Sequence, residues 1–204
     1  SYELSPDELE YTFHLRNDVY FHDDACFPAA EGRRVVASDF EYSFWRIADP
    51  DEPSRGKYIF KNLNKSEESN FMGFKAIDDR TFKIWLKQPQ PSFLQMLSLK
   101  HCSVLPHEAI EKYGENFRAN PVGTGPFKFS FWNEGTKLVL LKNDDYWRKS
   151  STGENLPYLD AITISFLKDR LQEYLQFEKG KFEMMSGLDP AFQERLLTDL
   201  GDLK

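Results

Sequence analysis

The sequence predicts a mixed α/β or α+β domain in which β-hairpins alternate with short amphipathic helices. Apolar and polar side chains alternate with a period of two in several separate runs, the signature of half-buried strands. Runs at helical spacing, with start and stop residues, lie between those strands. Aromatic residues make up 15% of the 204 positions and 18 of them are Phe, which a disordered chain does not carry and a packed core needs.

Leu9, Tyr11, Phe13 and Leu15 alternate with Glu10, Thr12 and His14, so residues 9–15 predict a strand with one buried face. After a polar, Gly-containing stretch to residue 34, a helix is expected from Ser38, its hydroxyl capping the start while Glu41 reaches back. Phe40, Phe44, Ile47 and Ala48 share one face of that helix, and Asp49-Pro50 stops it. Residues 49–70 read as a long irregular surface connection, with Lys65-Ser66-Glu67-Glu68-Ser69 a solvated loop. Runs at 74–77 and 81–86 flank Asp78-Asp79-Arg80 and predict a hairpin. Ser92 and Gln95 frame a short helix at 93–99, and another spans 107–113 before Gly114, a natural end cap. Phe127, Phe129 and Phe131 mark a strand at 127–132 that turns through 133–136 and returns along 137–142. A strand at 161–167 follows. A helix at 170–179 is then expected to bury Leu171, Tyr174 and Leu175, with Gly180 as its stop, and a last helix to run from 190 to 200.

Charge narrows the function classes. With 33 acidic against 26 basic residues the net charge is -7, so the chain lacks the basic surplus that nucleic acid or an anionic membrane would require. No apolar run approaches the roughly 18 residues of a membrane span. The first residues, Ser1-Tyr2-Glu3-Leu4-Ser5, have neither the basic start nor the apolar stretch of a signal peptide. Cys26 and Cys102 have no metal-site spacing and are expected to be ordinary buried thiols rather than a disulfide.

Motifs that carry chemistry are missing. There is no Gly-x-Ser-x-Gly elbow and no His-Glu-x-x-His, and His14, His22, His101 and His107 share no spacing with a nucleophile. The acidic pairs Asp23-Asp24, Asp78-Asp79 and Asp144-Asp145 each stand beside an expected strand end, where Asp forms turns. A carboxylate-dependent hydrolase using one of these pairs is the rival reading. Gly123-Thr124-Gly125 invites a phosphate cradle, but a cradle must open a helix, and Pro126 with alternating Phe residues opens a strand instead. Its two glycines and two prolines then imply a sharply shaped, rigid loop. No catalytic residue, metal or cofactor is expected.

Several segments resemble, in order, the bacterial extracellular solute-binding proteins (family 5) that serve peptide, dipeptide and nickel ABC importers. They are Tyr11-Thr12-Phe13-His14-Leu15-Arg16 with Phe21-His22-Asp23, Val36 through Phe44, and Ala76 through Phe82. Pro121-Val122-Gly123-Thr124-Gly125-Pro126-Phe127, Asn143 with Tyr146-Trp147, and Pro157-Tyr158-Leu159-Asp160 complete the set. The chain departs from the family pattern at Asp24, where a Gly is common, with an insertion through Gly32, and at Glu183, where Asp is common.

The resemblance implies part of the N-terminal lobe of a periplasmic-binding-protein-like class II fold, with a mixed sheet. Residues 1–121 would be a subdomain, residues 122–204 part of the main sheet domain, and the C-terminal lobe would be absent. It further implies a non-enzymatic component of an importer, periplasmic or otherwise extracytoplasmic and open to lipid anchoring, that hands an oligopeptide or similar small solute to a membrane permease, with no nucleic acid as partner. A ligand-sensing domain of a transcriptional regulator is the alternative within the same fold. Under the resemblance Trp132, Tyr146 and Trp147 are packing aromatics, and Tyr58 is the one ligand-facing candidate. The isolated chain is expected to expose apolar surface and self-associate.

Overall fold

Alternation in the first half of the chain builds a four-stranded antiparallel sheet from β1 (Tyr2–Leu4), β2 (Glu10–His14), β3 (Phe74–Ala76) and β4 (Thr81–Trp85), in the order β1-β2-β4-β3. The computed structural model of the chain describes residues 1–51, 53–66, 71–187 and 190. The helix expected at 190–200 and positions 67–69 of the expected solvated loop therefore fall outside the described residues, apart from Pro190. The register sets Tyr11 opposite Ile84 and Phe13 opposite Phe82, so the period-two pattern read from the sequence delivers one continuous apolar face. Strand β1 was not anticipated; three residues are too few to display a period.

Helix α1 (Ala37–Ala48) lies on that face. Phe44 fills the space between layers, its ring centroid 5.1 Å from Phe60, 5.6 Å from Phe82 and 6.0 Å from Phe74. Tilted and edge-on rings at these separations add attraction beyond burial alone. The cap falls two residues before the expected one. Val36 occupies the cap position, the Asp39 carboxylate accepts from the Val36 N–H at 2.9 Å, and Ser38 sits inside the first turn. Glu41, instead of closing a capping box, accepts from the Ala76 N–H at 2.7 Å and ties α1 to the edge strand β3.

The stretch after α1 also departs from expectation. It is not merely a surface connection: a 3-10 turn at Lys57–Phe60 and the residues behind it send Ile59, Phe60 and Leu63 into the core, all essentially fully buried. The Leu63 backbone bridges to Leu86, extending the sheet beyond β4. Helix α2 (Phe93–Leu97) ends two residues early and Ser92 supplies no side-chain cap, but Phe93 still plugs the core against Tyr11. Helix α3 (His107–Tyr113) stops at Gly114, whose φ of 50° a side chain would resist. A second, smaller core joins Phe21, Phe27, Val35, Ala109 and Val122.

A three-stranded sheet follows, β5 (Phe127–Asn133), β6 (Lys137–Lys142) and β7 (Ala161–Ser165), in that order, with Gly135 at φ 72° in the β5–β6 turn. Helix α4 (Arg170–Glu178) is capped by the Asp169 carboxylate, which accepts from the Leu171 N–H at 2.9 Å. Tyr174 is buried as expected; Leu171, in the first turn beside the cap, is 49% exposed and takes no part in the core. The chain divides into two compact units, Ser1–Phe129 with Leu140–Ala161, and Ser130–Val139 with Ile162–Lys204. Among the described residues no helix is long and apolar enough to cross a membrane.

Candidate functional site

The sequence landmarks converge in the first unit. Phe21 is buried against Phe27, ring centroids 6.0 Å apart, and its N–H donates to the Arg33 carbonyl at 3.0 Å. This anchors His22 so that it reaches the loop at 121–126. The His22 backbone N–H donates to Gly123 O at 2.8 Å, and its ring Nε2 lies 2.9 Å from Gly125 O. A carbonyl can only accept, so Nε2 carries the proton. From the other side Asn143 donates its side-chain Nδ2–H to the same Gly125 O at 3.0 Å and its backbone N–H to Pro126 O at 2.9 Å. Three landmarks, Phe21-His22-Asp23, the Pro121–Phe127 loop and Asn143, thus form one clasp. Both Asn143 and His22 are buried.

The glycines of that loop do not serve as expected. Neither Gly123 nor Gly125 has a positive φ, and a Cβ would meet only His22 Cε1 at 3.9 Å at the first and open space at the second. The glycine that the local backbone requires is Gly32, where a Cβ would stand 1.9 Å from Phe21 O. Gly32 closes the insertion after Asp23, donating its N–H to Asp23 Oδ1 at 2.9 Å.

Two cavities flank the clasp. One, of about 490 Å³, is lined mainly by apolar groups including Val104, Phe117, Val122 and Phe129, with His22 in its wall. The other, of about 390 Å³, is polar and lined by Asp18, Tyr20, Asp23, Lys128, Asn143 and Asp145. Burial drives the His22 pKa below its ordinary value, and nearby Lys128 adds to this, against an opposing hydrogen bond to Gly125 and the charge of Asp23. The Gly32 N–H holds the Asp23 carboxyl below its usual range, helped by Lys128 at 3.5 Å.

Behind the clasp lies a charge cluster with no local sequence signature. Arg33 holds Asp39 bidentately, Nη1 to Oδ2 at 2.9 Å and Nη2 to Oδ1 at 2.7 Å, and grips Glu108 through Nε and Nη2. The Asp39 side chain is 2% exposed. Asp39 and Glu108 stand 6 and 75 residues from Arg33 along the chain, too scattered for a motif to reveal.

The remaining sequence candidates separate. Tyr58 is 44% exposed on the 3-10 turn, next to buried Ile59, and lines neither cavity. Trp147 packs under the Arg16 guanidinium, 4.4 Å from ring centre, and beside Tyr146; Trp132 is half-buried. The acidic pairs serve turns and ion pairs. Asp24 accepts from the Cys26 N–H and the Tyr113 hydroxyl, Asp78 from the Arg80 and Thr81 N–H groups, and Asp79 O from the Ala37 N–H. Asp144 and Asp145 face Lys142 and Lys128. Among the described residues no group of three or more His, Cys, Asp or Glu could hold a metal ion. Cys26 and Cys102 are free and belong to different cores; burial, with Asp24 beside it, pushes the Cys26 thiol up to about 12, and burial pushes Cys102 up to about 11.

Known proteins share the fold. The glutathione-binding protein GsiB of Salmonella paratyphi A is 34% identical over 180 residues, 88% of this chain and 31% of its own length, so the chain spans about a third of that curated relative. The periplasmic binding protein DppA of Helicobacter pylori, solved with the peptide STSA, superposes with a TM-score of 0.75 at 31% identity, covering 97% of this chain and 39% of that one. An oligopeptide-binding protein of Borrelia burgdorferi gives a TM-score of 0.81 at 28% identity, over 97% of this chain and 39% of its own. These likenesses bear out the mixed α/β fold of class II periplasmic binding proteins. The family model of bacterial extracellular solute-binding proteins, family 5 Middle, matches residues 1–203, and the chain belongs to that family.

Proposed function

We propose that the chain is part of the substrate-binding component of an ABC importer, which captures an oligopeptide or similar small solute outside the cytoplasm and delivers it to a membrane permease. The match of the family model to residues 1–203 carries this reading. It is supported by relatives whose names and complexes involve glutathione and peptides. Asp24 and Asp78 accept hydrogen bonds from neighbouring groups in turns, which supports binding over the hydrolase reading. Binding, without catalysis, is the activity this reading assigns.

Within it, residues 1–121 are a subdomain and 122–204 belong to the main sheet domain of the N-terminal lobe. Tyr58 is the proposed ligand-facing side chain, its ring exposed while its neighbours Ile59 and Phe60 fix the turn. Residues 1–204 alone bind peptide weakly or not at all, because a hinge-closing binder grips its ligand between two lobes. The isolated chain self-associates through apolar side chains such as Phe131, Ile164, Phe166 and Met184, which are exposed in the second unit.

Calorimetry tests the reading. A protein of the relatives' length that carries this chain should bind glutathione or one of a series of di- to pentapeptides, and Tyr58→Ala should weaken that binding. A folded protein that gives no heat with any of them would overturn the assignment. For residues 1–204 alone, micromolar peptide affinity would contradict the two-lobe argument, and a monomer by light scattering would contradict self-association.

A further inference from the structure

The clasp around residues 121–126 rests on a histidine whose burial disfavours its charged form. His22 donates from Nε2 to Gly125 O, and among the described residues its Nδ1 has no hydrogen-bond partner. The ring lies in the wall of the apolar cavity, beside Val122 and Phe117. Protonation at Nδ1 would put a second N–H and a full charge there. The charged groups facing the ring are few: Lys128, from β5, opposes a second positive charge, and Asp23, on His22's own segment, favours it. Asp23 is already engaged by the Gly32 N–H and by Lys128, which limits what it can offer to an imidazolium. Asn143, the other jaw of the clasp, is uncharged, and donates from Nδ2 to Gly125 O and from its backbone N–H to Pro126 O.

We infer that His22 is an acid-sensitive latch: protonation opens the clasp and frees the loop at 121–126 from His22 and Asn143. The inference does not depend on what the protein binds. A chain that binds no peptide would leave it intact, and a latch that fails would leave the importer reading intact. The consequence is a region that loosens as its surroundings acidify, while the β2–β4 ladder, which contains no histidine except His14 at its exposed end, stays closed.

The linkage has a definite sign. The closed clasp binds the His22 proton more weakly than the open one, so between the closed-state value and the ordinary value near 6.5 the open state takes up protons preferentially. Clasp stability is full above that ordinary value and falls as pH drops through the window beneath it. The gain in opening at acid pH equals the ratio of the two acid dissociation constants, so two independent measurements must agree.

NMR of the chain supplies both. The His22 Cε1–H resonance should titrate below the value of an unstructured histidine. Hydrogen exchange of the His22 and Asn143 amides, corrected for the intrinsic rate, should lose protection between pH 7 and pH 5 by the factor the titration implies, while Ile84 in β4 keeps its protection. In His22→Gln, whose side-chain amide can still donate to Gly125 O but does not titrate, protection at Asn143 should be independent of pH. An ordinary His22 titration midpoint overturns the latch, as does unchanged protection at Asn143 on acidification, or equal acid loss in His22→Gln. Where that variant does not fold, the two wild-type measurements decide alone.

Discussion

Replacing Arg33 by Met should destabilise the chain more than any other single removal of a surface-reaching charge. Arg33 makes four hydrogen bonds to two carboxylates, and among the described residues the Asp39 carboxylate has only the Val36 N–H besides. The Met side chain keeps most of the packing beneath Phe21 and Phe27, whose rings lie 5.3 and 5.9 Å from the guanidinium. What it removes is the countercharge of a buried carboxylate, and breaking such a pair from one side costs about 3–5 kcal/mol. Glu108, with a side chain 20% exposed, can turn toward water and adds little more. For a chain of this size each kcal/mol lowers Tm by roughly 2–4 °C, so the expected fall is roughly 6–20 °C. Thermal and urea melts followed by tryptophan fluorescence measure it. Asp39→Leu in the Arg33→Met background should recover part of the loss, since the orphaned charge is then gone. A fall below about 1 kcal/mol, the range of exposed ion pairs, would refute the claim that Asp39 needs Arg33.

Other substitutions test the clasp and its support. Gly32→Ala should be severely destabilising, because its Cβ would overlap Phe21 O, whereas Gly125→Ala should change stability by less than about 1 kcal/mol; the same urea melts compare them. Asn143→Leu withdraws a buried donor from Gly125 O and should cost about 1–3 kcal/mol, with faster exchange at the His22 amide as the local readout. In the first sheet, Glu10 is held below its ordinary value of 4.5 by a hydrogen bond from Lys83, opposed by burial and reinforced by the Trp85 indole N–H at 2.7 Å. A depressed carboxylate contributes stability above its unfolded value and loses it as pH falls through the folded one. Glu10→Gln should therefore flatten the acid limb of a stability–pH curve below about pH 4.5, and an unchanged limb would show that Glu10 carries no such linkage.

Strands β2 and β4, the β5–β6 hairpin and α3 were legible because their signals are local: period-two alternation, a turn between apolar runs, and Gly114 at a helix end. Ile59, Phe60 and Leu63 were not, because a 3-10 turn has no sustained period and polar Lys61, Asn62 and Asn64 interrupt the apolar residues. The capping residue of α1 was misplaced for a different reason. Ser38-x-x-Glu41 is a sound local signal, but Arg33 and Val36 compete for Asp39, and the Ala76 N–H at a strand edge competes for Glu41. The landmarks of the clasp were legible as a resemblance, while their joint role was not: His22 and Gly125 stand 103 residues apart. Tyr58, chosen for its position in a loop, sits exposed on a turn whose neighbours are core.

The clasp also revises what the Pro-Val-Gly-Thr-Gly-Pro segment is for. Its glycines use no backbone freedom that another residue lacks, so they are not what shapes it. Its prolines matter in a different way: Pro121 and Pro126 have no N–H, so the segment is poor in donors and rich in acceptors. Carbonyls withdrawn from water need partners, and a loop of this composition has few donors of its own to offer. The donors therefore come from outside, two from His22 and two from Asn143, meeting the carbonyls of Gly123, Gly125 and Pro126. Of those four donors only the His22 ring N–H belongs to a titratable group, so the inferred latch puts the acid sensitivity of a loop built of neutral residues on that one ring.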